Sequence, residues 1–210
     1  MKKKQGIILL GAGGHSQACI DVIESQGLYQ IACIVGKPGE VRTTLLGYNV
    51  IYSDDDMTYL NQVNSKEKVF VLVAIGQIQT PEIRIRLYNR VKAAGLSCPA
   101  IVSPAAYVSP RASLGEGTIV MHGAIVNAGA RIGENCIINS CALIEHGATI
   151  QDNCHISTGA VVNGDALIGM GSFLGSGSVV REGLQVGSRC LIGMGVALRH
   201  DLLESTCFHG

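Results

Sequence analysis

The sequence predicts two joined folds: a small α/β domain with a Rossmann-like parallel sheet, then a left-handed parallel β-helix. Three observations predict them. From Val102 to Leu198 a branched aliphatic residue stands at every sixth position. Most of these are followed, four residues later, by a small side chain such as Ala106, Ala124, Cys136 or Ala160. Before residue 98 the pattern changes to short apolar runs that alternate with helix-like segments behind glycine or proline turns.

The first elements follow in order. Ile7-Ile8-Leu9-Leu10 is apolar without alternation, as a strand buried on both faces requires. Gly11-Ala12-Gly13-Gly14 is a tight turn, and Ser16 to Gln26 reads as a helix. Ile31 to Val35 is a second strand. Ser53 with Asp54, Asp55 and Asp56 opens a helix, because side-chain oxygens and negative charge suit a helix N-terminus. Val69 to Ile75 is another buried strand, and Thr80-Pro81 starts a helix from Glu82 to Ala94 with proline at its first position. Strands and helices alternating at this spacing imply a parallel α/β sheet over residues 1–97. Pro99 and Pro104 mark the joint.

Residues 98–210 form the second unit. Neither the helical period nor the strand period places aliphatic residues every sixth position; a hexapeptide repeat does, and it builds a β-helix. The aliphatic residue fills the inside of a flat side, and the small residue fits the corner. The run implies roughly five coils. Flat coil faces pack well on one another, so a homotrimer is expected.

Of the 210 residues, 47% are hydrophobic and 15% charged, and the net charge is zero, which leaves no basic surface for nucleic acid. The apolar run after Met1-Lys2-Lys3-Lys4 breaks at Gly11, too soon for a signal peptide, and no other stretch could span a membrane. A cytoplasmic location is expected. The eight cysteines include no C-x-x-C pair, and Cys136, Cys154 and Cys190 share the small inward phase. They read as reduced core thiols, with neither metal nor disulfide expected.

Two segments could carry chemistry. A glycine turn that feeds a helix presents free N–H groups to a phosphate, so Gly11, Gly13, Gly14 and His15 suit a nucleotide diphosphate. A full NAD site is not expected: Ser16 stands at the third glycine position, and Gly36-Lys37 stand where the ribose-binding acid belongs. In the hexad region His146 lies two residues after an inward Ile144, so its side chain points outward beside Glu145 and can serve as a general base. His155 falls on another side of the triangle, and His122 reads as a surface or interface residue.

The motifs Gly11-Ala12-Gly13-Gly14-His15, Ala74-Ile75-Gly76 with Arg84 downstream, Ser103-Pro104, Asn139-Ser140, Ile144-Glu145-His146 and His155 together resemble the bacterial sugar N- and O-acyltransferases of the hexapeptide superfamily. The nearest likeness is to UDP-4-amino-sugar N-acetyltransferases of the bacillosamine and perosamine branches, with sialic acid O-acetyltransferases as near relatives. The resemblance implies acetyl transfer from acetyl-CoA to the amine of a nucleotide-linked sugar, without a metal or an acyl-enzyme. It implies that His146 is the base, oriented by Glu145. Gly13, Gly14, His15 and Gly76 would hold the nucleotide sugar, with Asn139 beside the acceptor. His155, Ser157 and Gly164 would line the coenzyme channel. Members of the family carry an acid directly after the catalytic histidine. Here it is Gly147, and an acid restored there should hold or raise activity. A sugar O-acetyltransferase, a β-helix metalloenzyme using His122, His146 and His155, and a non-catalytic scaffold are the other readings.

Overall fold

The computed structural model describes residues 4–56 and 69–210. Among the described residues the α/β part has five strands: β1 (Gln5–Leu10), β2 (Tyr29–Gly36), β3 (Thr44–Leu45), β4 (Tyr48–Ser53) and β5 (Phe70–Val73). Their order is β3-β4-β2-β1-β5. All neighbours run parallel except β3 with β4, a short hairpin that the sequence reading missed. Among the described residues two α-helices accompany the sheet, Gly14–Gln26 and Glu82–Ala93. In the second, Pro81 is the N-cap and Glu82 the first helical residue, so the cap lies one residue later than proline at the first helical position would put it. The helix expected behind Ser53 to Asp56 lies outside the described residues.

Ser97 bridges Phe70, and four residues later Ile101–Val102 pairs with Ile119–Val120 in the first coil. From there the chain forms two-residue strands up to Cys207–Phe208. They stack into parallel sheets of six, five and seven strands, so about six coils form rather than five, because the strand at Cys207 extends the stack. Pairing advances eighteen residues per coil, as Ile125 pairs with Leu143. In each strand the second residue points inward: Val126, Ile138, Ile144 and Ile156 are fully buried and share one core with Ala124, Cys136, Ala142 and Cys154. At about 1.5–3 kcal/mol per buried aliphatic side chain, this column is the main source of the β-helix's stability. The Cys136, Cys154 and Cys190 thiols each donate to a carbonyl in the next coil, on Gln151, Gly169 and Leu203. All eight cysteines are free.

The corners repeat as strictly as the sides. Every sixth residue from Gly117 to Gly195 has a positive φ, including Asn135, Cys141, Asn153, Asp165 and Arg189. The outward residues then divide the three faces by chemistry. On the seven-stranded face, Ile101, Ile119 and Ile137 are buried in one core with Ile7, Leu9, Ile20 and Ile23, so this face carries the α/β part. The five-stranded face shows Ser113, Arg131, Thr149 and Gln185 to solvent. The six-stranded face shows Tyr107, Ile125, Leu143, Val161 and Val179, with Tyr107 55% exposed. Among the described residues no helix is long and apolar enough to cross a membrane.

Candidate functional site

The expected site residues fall at two stations. The first is a cavity of about 290 Å³ between the ends of β1, β2 and β5. Gly11, Gly13, Gly14 and His15 form one wall, and Ala74 to Gly76 another. Ser16, at the third glycine position, is fully buried and its hydroxyl lies 2.7 Å from the Gly11 carbonyl and 2.8 Å from that of Ala74. It thus ties the turn to the neighbouring strand. A Cβ at Gly13 or Gly14 would meet nothing within 4 Å, so the turn faces open space.

Sequence reasoning found no acid near Gly36 and Lys37, yet the cavity contains two. Glu40 arrives on a short 3-10 turn behind Pro38, and Asp54 follows β4. The Glu40 carboxylate accepts the Lys37 N–H at 2.7 Å. Burial and the neighbouring Asp55 raise the Asp54 pKa above the ordinary carboxylate value. No local motif marks either residue; only the pairing of β4 with β2 brings them in.

His15 and His155 meet at the edge of this cavity, with ring centroids 6.3 Å apart. His155 Nδ1 lies 2.6 Å from the Gln77 carbonyl oxygen and must therefore carry the proton. Its Nε2 then accepts from the Asn139 amide at 3.2 Å, and the Asn139 oxygen accepts the Ser140 N–H at 2.8 Å. Burial, with a contribution from the Arg84 charge, lowers the His155 pKa to about 4. Burial, then Arg84, then His155, lowers that of His15 to about 3. Both rings are neutral at physiological pH. Nε2 of His15 is buried without a partner.

The second station is on the next corner of the triangle. His146 follows the outward Leu143 and inward Ile144 and is 71% exposed. Its Nδ1 lies 3.5 Å from the Glu145 carboxylate. That carboxylate also accepts from the Asn127 amide at 2.9 Å. Asn127 occupies the same position one coil earlier, which is the signal that could have found it. On the opposite side of the ring, a Cβ at Gly164 would stand 2.8 Å from His146 Nε2, so the glycine makes room for the imidazole. Gly147 is one of the corner residues with positive φ, a phase that also holds Asn135, Asn153 and the acid Asp165. A Cβ at Gly147 would meet the end of the Asp165 side chain, which must turn aside to admit an acid there.

His155 thus stands beside the cavity through His15, with Asn139 behind it, whereas Gly164 lies with His146 and Glu145. Ser157 stands one coil above Asn139, its hydroxyl 3.0 Å from that of Ser176. His122 is an interface histidine, its side chain 34% exposed. Its Nδ1 lies 2.6 Å from the Ser103 hydroxyl and its Nε2 2.8 Å from the Asp21 carboxylate. The three side chains look like a hydrolytic triad, but Ser103 is 1% exposed and its oxygen accepts the Ala105 N–H, so it cannot meet a substrate. They fasten the first helix to the β-helix. Among the described residues no group of three or more His, Cys, Asp or Glu side chains could hold a metal ion.

Comparison with known proteins agrees with this architecture. Residues 6–91 match the PglD N-terminal domain, residues 111–146 and 147–182 the bacterial transferase hexapeptide (six repeats), and residues 166–199 the hexapeptide repeat of succinyl-transferase. No curated protein matches the chain. Among solved structures, a mutant of perosamine N-acetyltransferase from Caulobacter crescentus, in complex with CoA and GDP-perosamine, is 30% identical. The alignment covers 96% of this chain and 92% of that one, with a TM-score of 0.89. The acetyltransferase domain of PglB from Neisseria gonorrhoeae, in complex with acetyl coenzyme A, is 29% identical over 98% of this chain and 96% of its own, with a TM-score of 0.86. WeeI from Acinetobacter baumannii shares the fold at 20% identity over 97% of this chain and 96% of its own, with a TM-score of 0.82. With a PglD-type domain ahead of its hexapeptide β-helix, the chain belongs to the bacterial sugar acyltransferases of the hexapeptide superfamily.

Proposed function

We propose that the protein transfers an acetyl group from acetyl-CoA to the amine of a nucleotide-linked 4-amino-4,6-dideoxy sugar, with His146 as general base. The observation that carries this reading is the setting of His146. It is an exposed imidazole with Nδ1 near a carboxylate and Nε2 over a glycine, on an otherwise plain β-helix corner. The Glu145 carboxylate favours a proton on Nδ1 and leaves the Nε2 lone pair toward the substrate. The sugar nitrogen attacks the thioester carbonyl, and His146 takes the proton that nitrogen sheds. The carbon–nitrogen bond forms, the carbon–sulfur bond breaks, and the proton passes to the departing thiolate. No residue need be acylated, which suits the inward cysteines. The nucleotide lies along the glycine turn, with its phosphates at the helix N-terminus. The sequence resemblance favours UDP as the nucleotide. The perosamine relative is described with GDP-perosamine.

The two stations stand at neighbouring corners, on either edge of the face that carries Tyr107, Ile125, Leu143, Val161 and Val179. An exposed apolar stripe of this kind is characteristic of a subunit interface. A homotrimer through this face would bring His146 of one copy to the Asn139 edge of the next, and so complete the site. The test is turnover of acetyl-CoA, read as thiol release, with UDP- and GDP-linked 4-amino sugars and with free sialic-acid-like sugars. Turnover with a nucleotide amino sugar is expected. Turnover with only the free sugars would make it an O-acetyltransferase, and none with any acceptor would refute the reading.

A further inference from the structure

Arg84 is the largest fully buried side chain among the described residues, 1% exposed. Among the described residues no carboxylate forms an ion pair with it. Its Nη1 donates to the carbonyls of Val73 and Ile75 at 2.9 and 2.5 Å. Its Nη2 donates to the carbonyl and side-chain oxygens of Asn135 at 2.8 and 2.9 Å. A buried charge is usually met by a counter-charge; among the described residues this one is met by neutral dipoles. The location gives the charge a use. Ile75, whose carbonyl it holds, lines the glycine-turn cavity, as do Ala74 and Gly76. Three successive carbonyls at this strand end are occupied, two by Arg84 and that of Ala74 by Ser16. None of these three faces the cavity unpaired, and the negative groups there are Glu40, on the 3-10 turn, and Asp54, after β4.

We propose that Arg84 is a positioning residue that projects an unneutralised positive charge through the cavity wall and selects ligands that carry a diphosphate. This rests on the cavity being the nucleotide-sugar site. Supporting it, the same charge depresses the protonation of His15, which lines the cavity, and of His155 beside it. Burial lowers the guanidinium's own pKa to about 10, so it stays charged at neutral pH.

The test neutralises the charge without removing the side chain. Asn135→Asp is isosteric and places a carboxylate where the amide oxygen meets Nη2. Asn153, which accepts from the Asn135 amide at 2.8 Å, can turn its own amide to face the new oxygen. Binding of UDP, GDP, uridine and guanosine to the full chain is measured by calorimetry. Asn135→Asp should weaken the better diphosphate about tenfold, the size expected for one unit charge acting over roughly 10 Å. Nucleoside affinity should hold, which a purely structural role for Arg84 would not predict. Wild-type affinity for the diphosphates in a folded Asn135→Asp protein would overturn the inference and leave the nucleotide reading intact. If neither diphosphate binds the wild type, the nucleotide reading fails and takes the inference with it. Should Asn135→Asp not fold, Arg84→Lys and Arg84→Met decide. The lysine should keep the preference for diphosphate over nucleoside and the methionine lose it; equal preference in both overturns the inference.

Discussion

Gly164→Ala tests the proposed base without touching it. The new methyl carbon would stand 2.8 Å from His146 Nε2 and 2.9 Å from Cε1, where ordinary contact begins near 3.4 Å. The ring must therefore retreat by about 0.6 Å. That retreat is cheap, because the ring is 71% exposed, and no hydrogen bond to Nε2 holds it in place. Gly164 is not among the glycines with positive φ, so alanine fits its backbone. Stability should accordingly change by less than about 0.5 kcal/mol, the usual range for a surface substitution. Catalysis should not be spared, since misplacing a reacting group by about 1 Å costs on the order of 10²-fold. The expected result is a kcat lowered by roughly 10 to 10²-fold at unchanged Tm, with the nucleotide-sugar KM little altered. Thiol-release kinetics and a thermal melt provide both readings. The double variant His146→Ala/Gly164→Ala should be no slower than His146→Ala alone, because the second change acts only through the first. A Gly164→Ala enzyme with wild-type kcat would refute the placement of the base.

His146→Ala should lower kcat by about 10²–10⁴-fold with modest changes in either KM, the ordinary worth of positioned proton transfer; near-normal kcat would remove His146 from the mechanism. Val161→Glu places a charge on the apolar six-stranded face, and light scattering should then report single chains where the wild type gives three; a monomeric wild type would sink the shared site. Gly147→Glu should cost about 1–2 kcal/mol for its left-handed backbone, plus repulsion from Asp165, and lower the melting temperature rather than raise activity. Acid should destabilise the fold through His155: the unfolded chain binds a proton below about 6.5, whereas the folded one refuses it until about 4. Stability therefore falls as pH drops through that window, by on the order of 2–3 kcal/mol. Burial holds His15 down in the same way, to about 3, so His155→Gln should reduce the dependence of Tm on pH between 7 and 4, and His15→Gln with His155→Gln should reduce it further.

The parts of the fold that repeat were legible in the sequence. Val120, Val126 and Ile132 announce the β-helix because each must fill the same inward place, and Ala124 and Cys136 because only small side chains fit the corner core. The positive-φ series from Gly117 to Gly195 was equally present, with glycine, Asn135, Asn153 and Asp165 in one phase. Gly147 belongs to that series, which at Asp165 carries an acid. The hairpin β3–β4 stayed hidden because Thr44–Leu45 is too short to show a period. Glu40 and Asp54 stayed hidden for a different reason: a side chain reaches a cavity through strand pairing, and pairing between β2 and β4 leaves no local mark.

The three faces of the triangle explain why the site residues separate as they do. A hexapeptide coil is nearly the same on every side, so its faces differ only through the outward residue of each strand. Isoleucines at 101, 119 and 137 commit one face to the α/β part, and with it the cavity, His155 and Asn139. Ser113, Arg131, Thr149 and Gln185, with only Leu167 apolar among them, leave the second face to solvent. The third face, from Tyr107 to Val179, is apolar and exposed, with His146 on its far edge. A rigid β-helix cannot fold that edge back onto the cavity. Proton acceptor and glycine turn can therefore meet only where another copy covers the apolar face, which makes assembly a condition of the proposed chemistry.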